Sequence, residues 1–231
     1  MCGRYALYGP TSRIAMQFDV EVDDFDQMPH DLWNPFNIAP TQTPPVVRAR
    51  PDGTRELVLA RWGLLPSWVK EPAAVVHPIN AKLETAAAKP MFRHAFKHSR
   101  VLVPASGFYE WQAVAGHKQP YFVRPAALQC FGFAGLLERW RGPEGDLLTF
   151  AILTTAANES VRPIHDRMPV IIQPADYAAW LDPQLVDADL VCELAGEFPP
   201  ALMEAYPVGR AVGNPRAEGP ELIEPADDFQ R

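Results

Sequence analysis

CFGFAGLLERWRGPEGDLLTFAILTT, residues 130–155, decides the fold. CFGFAGLLERW (130–140) and LLTFAILTT (147–155) are rich in aromatic and branched side chains, and a polar turn separates them. Such side chains pack well on a pleated surface, so both runs predict strands. Working outward, RVLVPASGFYEW (100–111) and QPYFVRP (119–125) have the same character. Further upstream, PPVVRAR (44–50) and RELVLARWG (55–63) are joined by a PDG turn. Helices are expected over 11–28, from a Thr-Ser cap to an acidic end, and as short segments within 173–195. Residues 82–98 read as one helix or as two broken at Pro90, and AYPVGRAVGN (205–214) as a late strand. HDLWNPFNIAPTQ (30–42) is a proline-punctuated loop. The expected class is α+β: one compact domain over 1–231, a mixed or antiparallel sheet with a barrel-like core and surrounding helices, and a C-terminal tail at 215–231.

With 48% hydrophobic and 21% charged residues and 25 prolines, the chain is globular and turn-rich rather than disordered. It has no apolar run long enough to span a membrane and no signal-type stretch, so a cytoplasmic protein without a membrane partner is expected. Cys2, Cys130 and Cys192 are too few and too far apart for a disulfide framework or a zinc site, and fit a reducing compartment. The net charge of −7 argues against nucleic acid, but its distribution argues the other way. Between Arg61 and Arg124 nine Lys and Arg stand against three acids, enough for a basic face that meets phosphate.

Cys2 carries the most distinctive chemistry. Removal of Met1 would leave an α-amine (pKa about 7.7–8.0) and a thiol (about 8.5) on neighbouring carbons. An aldehyde would condense with the amine to an imine, and the thiolate could close on the imine carbon to give a thiazolidine. The same residue could instead attack an amide, with its own amine as base, or be a small residue at a terminus. Three other stretches bear on the choice: Asn80 in VVHPINAKLETA, Glu110 between two aromatics in ASGFYEW, and His165 in PIHDRMPVII. Each has an ordinary alternative: a helix cap, an outward strand residue, a core or loop histidine. Together they supply an amide, a carboxyl acid/base and an imidazole for carbonyl chemistry.

CGRY (2–5), NIAPTQ (37–42), RWGLLPSW (61–68), INAKLETA (79–86), GFYEW (107–111), TTAAN (154–158) and IHDRMPVII (164–172) occur in that order. The series resembles the motifs of the SOS response-associated peptidase (SRAP) family of abasic-site processing proteins, and extends to AVGN at 211–214. The resemblance implies a protein that binds single-stranded DNA at abasic sites and traps the ring-opened aldehyde as a thiazolidine crosslink. Lyase activity and a peptidase label accompany it, and no cofactor. By matching position, Cys2 is the crosslinking residue, Glu110 a proton shuttle, His165 an aid to sugar opening and strand cleavage, and Asn80 the positioner of the sugar. Arg4 and Thr154 match phosphate contacts, and Trp68 with Pro40 a base-stacking wall. A monomer, nucleoid-associated when bound to DNA, is expected.

The chain departs from the family pattern in three places. Lys82 replaces a common arginine, which keeps the charge but loses the bidentate fork. Pro90 replaces a basic residue for which Lys89 or Arg93 could compensate, and Val69 stands where some members have a second tryptophan. HAFKH places His94 and His98 on one helix face but lacks the Glu of HExxH and a third ligand, so no metal is expected. Two other classes stay open: an N-terminal-nucleophile cysteine peptidase or amidase, and a non-covalent single-stranded DNA-binding module.

Overall fold

The computed structural model describes residues 2–21, 35–143 and 145–226. In chain order these contain β1 (Tyr5–Ala6), α1 (Thr11–Phe18), β2 (Pro45–Ala49), β3 (Arg55–Leu59), β4 (Arg61–Trp62) and β5 (Asn80–Lys82). Next come α2 (Leu83–Ala86), α3 (Arg93–His98), β6 (Arg100–Ala105), β7 (Gly107–Val114), β8 (His117–Pro125), β9 (Phe131–Gly142) and β10 (Gly145–Ala156). The series ends with β11 (Arg167–Pro169), β12 (Ile171–Ile172), α4 (Tyr177–Leu181), α5 (Ala188–Leu194) and β13 (Met203–Pro207).

The 130–155 stretch is the spine. β9 and β10 pair antiparallel from Gly142↔Gly145 to Gly135↔Ile152. Around them runs a sheet ordered β11-β10-β9-β6-β2-β3, with β12 on β9 and with β4 and β5 lying parallel to β10. A second sheet is ordered β1-β7-β8-β13, all antiparallel. The inner faces of the two sheets meet through rings: Phe133 on β9 lies edge-on to Tyr5 at 5.8 Å and to Phe108 at 5.9 Å. Burial of such rings dominates the stability of a core. The class is α+β with a mixed, barrel-like sheet and few helices, as the sequence predicts.

The helices depart from expectation at their ends. α1 buries Ile14, Ala15 and Phe18, then stops at Asp19, whose left-handed φ of 53° turns the chain so that Val20 N–H meets the Ala15 carbonyl. The helix expected to run to residue 28 thus ends at Phe18; residues 22–28 lie outside those described. Lys82 belongs to a strand rather than a helix, because β5 pairs with β10 at Thr154↔Lys82. The rest of 82–98 forms α2 and α3 on either side of Pro90. The late strand ends at Pro207, and Arg210–Gly213 forms a 3-10 turn. That segment covers the outer face of the second sheet, where Val208, Val212 and Leu222 pack on Tyr109 and Phe122.

Buried Arg100 ties α3 to α4. Its guanidinium donates to the carbonyls of Phe96, Lys97, Trp180 and Asp182 at the ends of both helices, where a cation also complements the helix dipoles. Burial holds its pKa down to about 10.

Candidate functional site

The site lies where the two sheets come together at the chain's beginning. β1 pairs with β7, and Tyr109 N–H donates to the Arg4 carbonyl at 3.0 Å, so Cys2 is delivered alongside β7. From the other sheet, Asn80 at the head of β5 donates through Nδ2 to the Cys2 carbonyl at 2.8 Å. A carbonyl can only accept, which fixes the orientation of the amide. Asn80 Oδ1 therefore faces away, and it is buried without a protein partner among the described residues. An acceptor held in this way is ready for a donor on a ligand.

Glu110 follows from strand periodicity. Side chains alternate along β7, so Tyr109 points to the outer face while Phe108 and Glu110 point inward. Glu110 is only 2% exposed. Burial raises its pKa above the ordinary carboxylate range, His165 draws it back in part, and Asp166 adds to the rise. Cys2 is fully buried; burial first and the Glu110 charge second push its thiol far above the usual range. Its Sγ lies 3.8 Å from the Arg4 carbonyl.

His165 sits in the turn between β10 and β11. Arg167 N–H reaches its Nδ1 at 2.9 Å, while Asp166 Oδ1 lies 2.8 Å from the same atom. One nitrogen cannot accept from the amide and donate to the carboxylate at once. The main-chain amide is held by the turn, whereas the Asp166 side chain is 86% exposed. The structure thus gathers Cys2, Asn80, Glu110 and His165 into one site.

The residues expected around DNA are placed less uniformly. Trp68 is 61% exposed, which removes the possibility of a core tryptophan. Lys82 is exposed on β5. Pro40 is half-buried in a turn pinned to β4 by Thr41 N–H and the Trp62 carbonyl, and it does not line the cavity beside Trp68. Val69 is buried, and its carbonyl accepts from the Trp140 indole. Thr154 is closed to solvent, and the hydroxyl expected at a phosphate instead lies 3.4 Å from the Arg167 guanidinium. Arg4 is half-buried, its Nη1 donating to Asn37 Oδ1 at 2.8 Å and to the Val212 carbonyl at 2.7 Å.

Two further residues support the site through contacts that local sequence does not reveal. Asn37 is fully buried, and its Nδ2 donates to the carbonyls of Asn214 and Ala217 while Oδ1 holds Arg4. Arg167 grips Glu84 through both guanidinium amino groups, at 2.6 and 3.0 Å. Both residues lie inside quoted motifs, NIAPTQ and IHDRMPVII, and position within a motif was the available signal. Among the described residues no group of three or more His, Cys, Asp or Glu side chains is placed to hold a metal, and no helix is long and apolar enough to cross a membrane.

Comparison with known proteins extends these observations. Residues 1–215 match the family described as SOS response associated peptidase (SRAP). The chain is 38% identical over 228 residues to the abasic site processing protein YoqW of Bacillus subtilis (strain 168), covering 97% of this chain and 99% of that one. It is 32% identical over 232 residues to the abasic site processing protein YedK of Escherichia coli (strain K12), covering 97% and 100%. A crystal structure of a protein from Bacteroides thetaiotaomicron superposes with a TM-score of 0.85 over 97% of this chain and all of that one; at 24% identity this bears on the fold alone.

Proposed function

The chain belongs to the SOS response associated peptidase (SRAP) family, and from that premise we propose that it processes abasic sites in DNA by forming a covalent adduct through Cys2. Its relatives YoqW and YedK carry the name abasic site processing protein. The observation that carries the reading is the Asn80 bond to the Cys2 carbonyl beside buried Glu110. It clamps the chain start next to an acid whose pKa burial raises.

The chemistry balances without a cofactor. Once Met1 is removed, the neutral Cys2 amine attacks the aldehyde carbon of the ring-opened sugar. The carbinolamine loses its hydroxyl as water, with Glu110 supplying the proton, and an imine remains. The thiolate then bonds to the imine carbon and the C=N electron pair returns to nitrogen, closing a thiazolidine. Amine, thiol and aldehyde are consumed, and one water is released. His165 would assist sugar opening and strand cleavage, and Asn80 Oδ1 would accept from the sugar. A high thiol pKa suits this order: the amine reacts first, and the thiol loses its proton only as the ring closes.

Single-stranded DNA fits as partner because Trp68 offers a stacking face that suits any base and Lys82 offers charge for phosphate. Arg4 would meet the phosphate beside the sugar. The test is incubation of the processed protein with single-stranded DNA carrying one abasic site. An SDS-resistant adduct, lost in Cys2→Ala, is expected. Peptide turnover without DNA, lost in Cys2→Ser, would instead mark an N-terminal-nucleophile amidase. Salt-sensitive binding that never becomes covalent would mark a binding module.

A further inference from the structure

A cavity of about 540 Å³ opens beside Trp68, lined by Ser67, Trp68, Pro90, Arg93, His94 and Glu138. The exposed indole is not on a loose loop. Leu65 N–H donates to Thr149 Oγ1 at 2.9 Å, Ser67 N–H to Glu138 Oε2 at 3.2 Å, and Trp140 Nε1 to the Val69 carbonyl at 2.7 Å. Three bonds to the β9–β10 spine therefore hold an aromatic face out in water. Below it sits Glu138, a carboxylate only 6% exposed. Its Oε2 accepts from Ser67, but Oε1 lies 3.6 Å from His94 Nδ1, too far for a hydrogen bond. A nearly buried carboxylate is costly unless partners satisfy it; here the exposed His94 is within ion-pair distance of Oε1, and acceptor capacity remains where Glu138 lines the cavity.

We propose that this cavity is a nucleobase subsite that selects guanine in the bound single strand. The proposal rests on single-stranded DNA being the partner. The base stacks on Trp68, Glu138 accepts from its Watson–Crick edge, and the exposed Arg93 guanidinium meets a neighbouring phosphate. Guanine presents two adjacent donors, N1–H and the 2-amino group, which match a carboxylate. Adenine and cytosine each place an acceptor nitrogen beside their amino group, and thymine flanks its single N–H with two carbonyl oxygens. Stacking alone accepts every base, so a preference has to come from a polar group lining the cavity, and Glu138 is the one whose acceptors match the two donors of guanine.

Equilibrium binding of oligothymidine tests this, with one thymidine at a time replaced by each other nucleotide and binding read by fluorescence anisotropy. No abasic site is present, so the result does not depend on the covalent chemistry. Guanine at one position should tighten binding by about tenfold over thymine, in line with the discrimination a matched pair of hydrogen bonds provides. Inosine there, which lacks the 2-amino group, should lose most of the gain in the unaltered protein. Glu138→Gln can still accept from Ser67 N–H while turning its amide nitrogen to the cavity, so it should flatten the preference. Trp68→Ala should weaken binding of every base alike. A flat wild-type profile at all positions, inosine equal to guanine, or a guanine preference that survives Glu138→Gln would each overturn the subsite. With adduct formation intact, such results would leave the abasic-site reading standing.

Discussion

Asn37 and Arg4 form one unit: Asn37 Oδ1 accepts from Arg4 Nη1 at 2.8 Å, and the same Nη1 donates to the Val212 carbonyl at 2.7 Å. Asn37 Nδ2 meanwhile holds Asn214 and Ala217. The C-terminal segment is therefore part of the mounting of Arg4, and Arg4 Nε is left buried without a partner among the described residues. Asn37→Ala strands two buried carbonyls and part of a guanidinium, which should cost roughly 2–3 kcal/mol in urea unfolding. Asn37→Asp is more informative. It keeps an acceptor for Arg4 but neutralises it, so DNA affinity should fall and the salt dependence of binding should lose about one counterion. An unchanged salt slope in Asn37→Asp would separate Arg4 from the phosphate contact.

Asn80 has a separable job. Removing its Nδ2 frees the Cys2 carbonyl at a loss of about 1 kcal/mol in stability. The rate of adduct formation should suffer more, by about 10- to 100-fold, because reacting groups displaced by even an ångström lose alignment. Asn80→Ala should therefore bind DNA normally by anisotropy yet form adduct slowly by denaturing gel. Equal losses in both assays would deny Asn80 a positioning role.

Glu110 makes the site pH-dependent, with a definite sign. Burial raises its pKa, so between its unfolded value and its native one the folded protein holds a proton that the unfolded chain has released. Stability should thus fall as pH rises through that window, and Glu110→Gln should abolish the decline. In catalysis Glu110 must be protonated while the Cys2 amine must be neutral. The adduct rate should rise with pH as the amine deprotonates, level off, and then fall once both groups have lost their protons. Glu110→Gln should be slower by about 10²–10⁴-fold and lose the alkaline fall. Single-turnover rates across pH 5–9 read both effects, and an alkaline limb that persists in the variant would assign the acid elsewhere.

The strands were legible because their residues state their environment locally: β9 and β10 are rich in aromatic and branched side chains. The reach of α1 was not, because Asp19 ends it by adopting a left-handed turn that many acidic residues in helices never take. Lys82 was misplaced for another reason. INAKLETA has helical composition, but β10 offers an open edge, and parallel pairing with that edge decides the matter for Asn80–Lys82. At the candidate site, Cys2, Glu110 and His165 stand out in the sequence by their chemistry in motif context. Asn37 was passed over because its work is done on Arg4 and on carbonyls near residue 214, contacts that local sequence does not reveal.

Gly107 tests how firmly the second sheet sets Glu110. The Phe122 ring lies across this glycine, and a Cβ added at residue 107 would meet Phe122 Cζ at 2.1 Å. Phe122 is itself fully buried, packed at tilted angles against Tyr109 and Tyr206, so it has little room to withdraw. Gly107→Ala should therefore destabilise by about 1–3 kcal/mol through overpacking, a fall in Tm of roughly 2–12 °C for a chain of this size. β7 carries both Gly107 and Glu110, and Tyr109 pairs with Phe122 across the β7–β8 ladder, so the strain falls on the strand that presents the acid. Adduct formation should slow even at temperatures where the variant is fully folded. Phe122→Leu added to Gly107→Ala removes the ring that clashes, so the double variant should be more stable than the sum of the single losses predicts. Strict additivity of the two losses by thermal unfolding would show that the ring does not constrain β7.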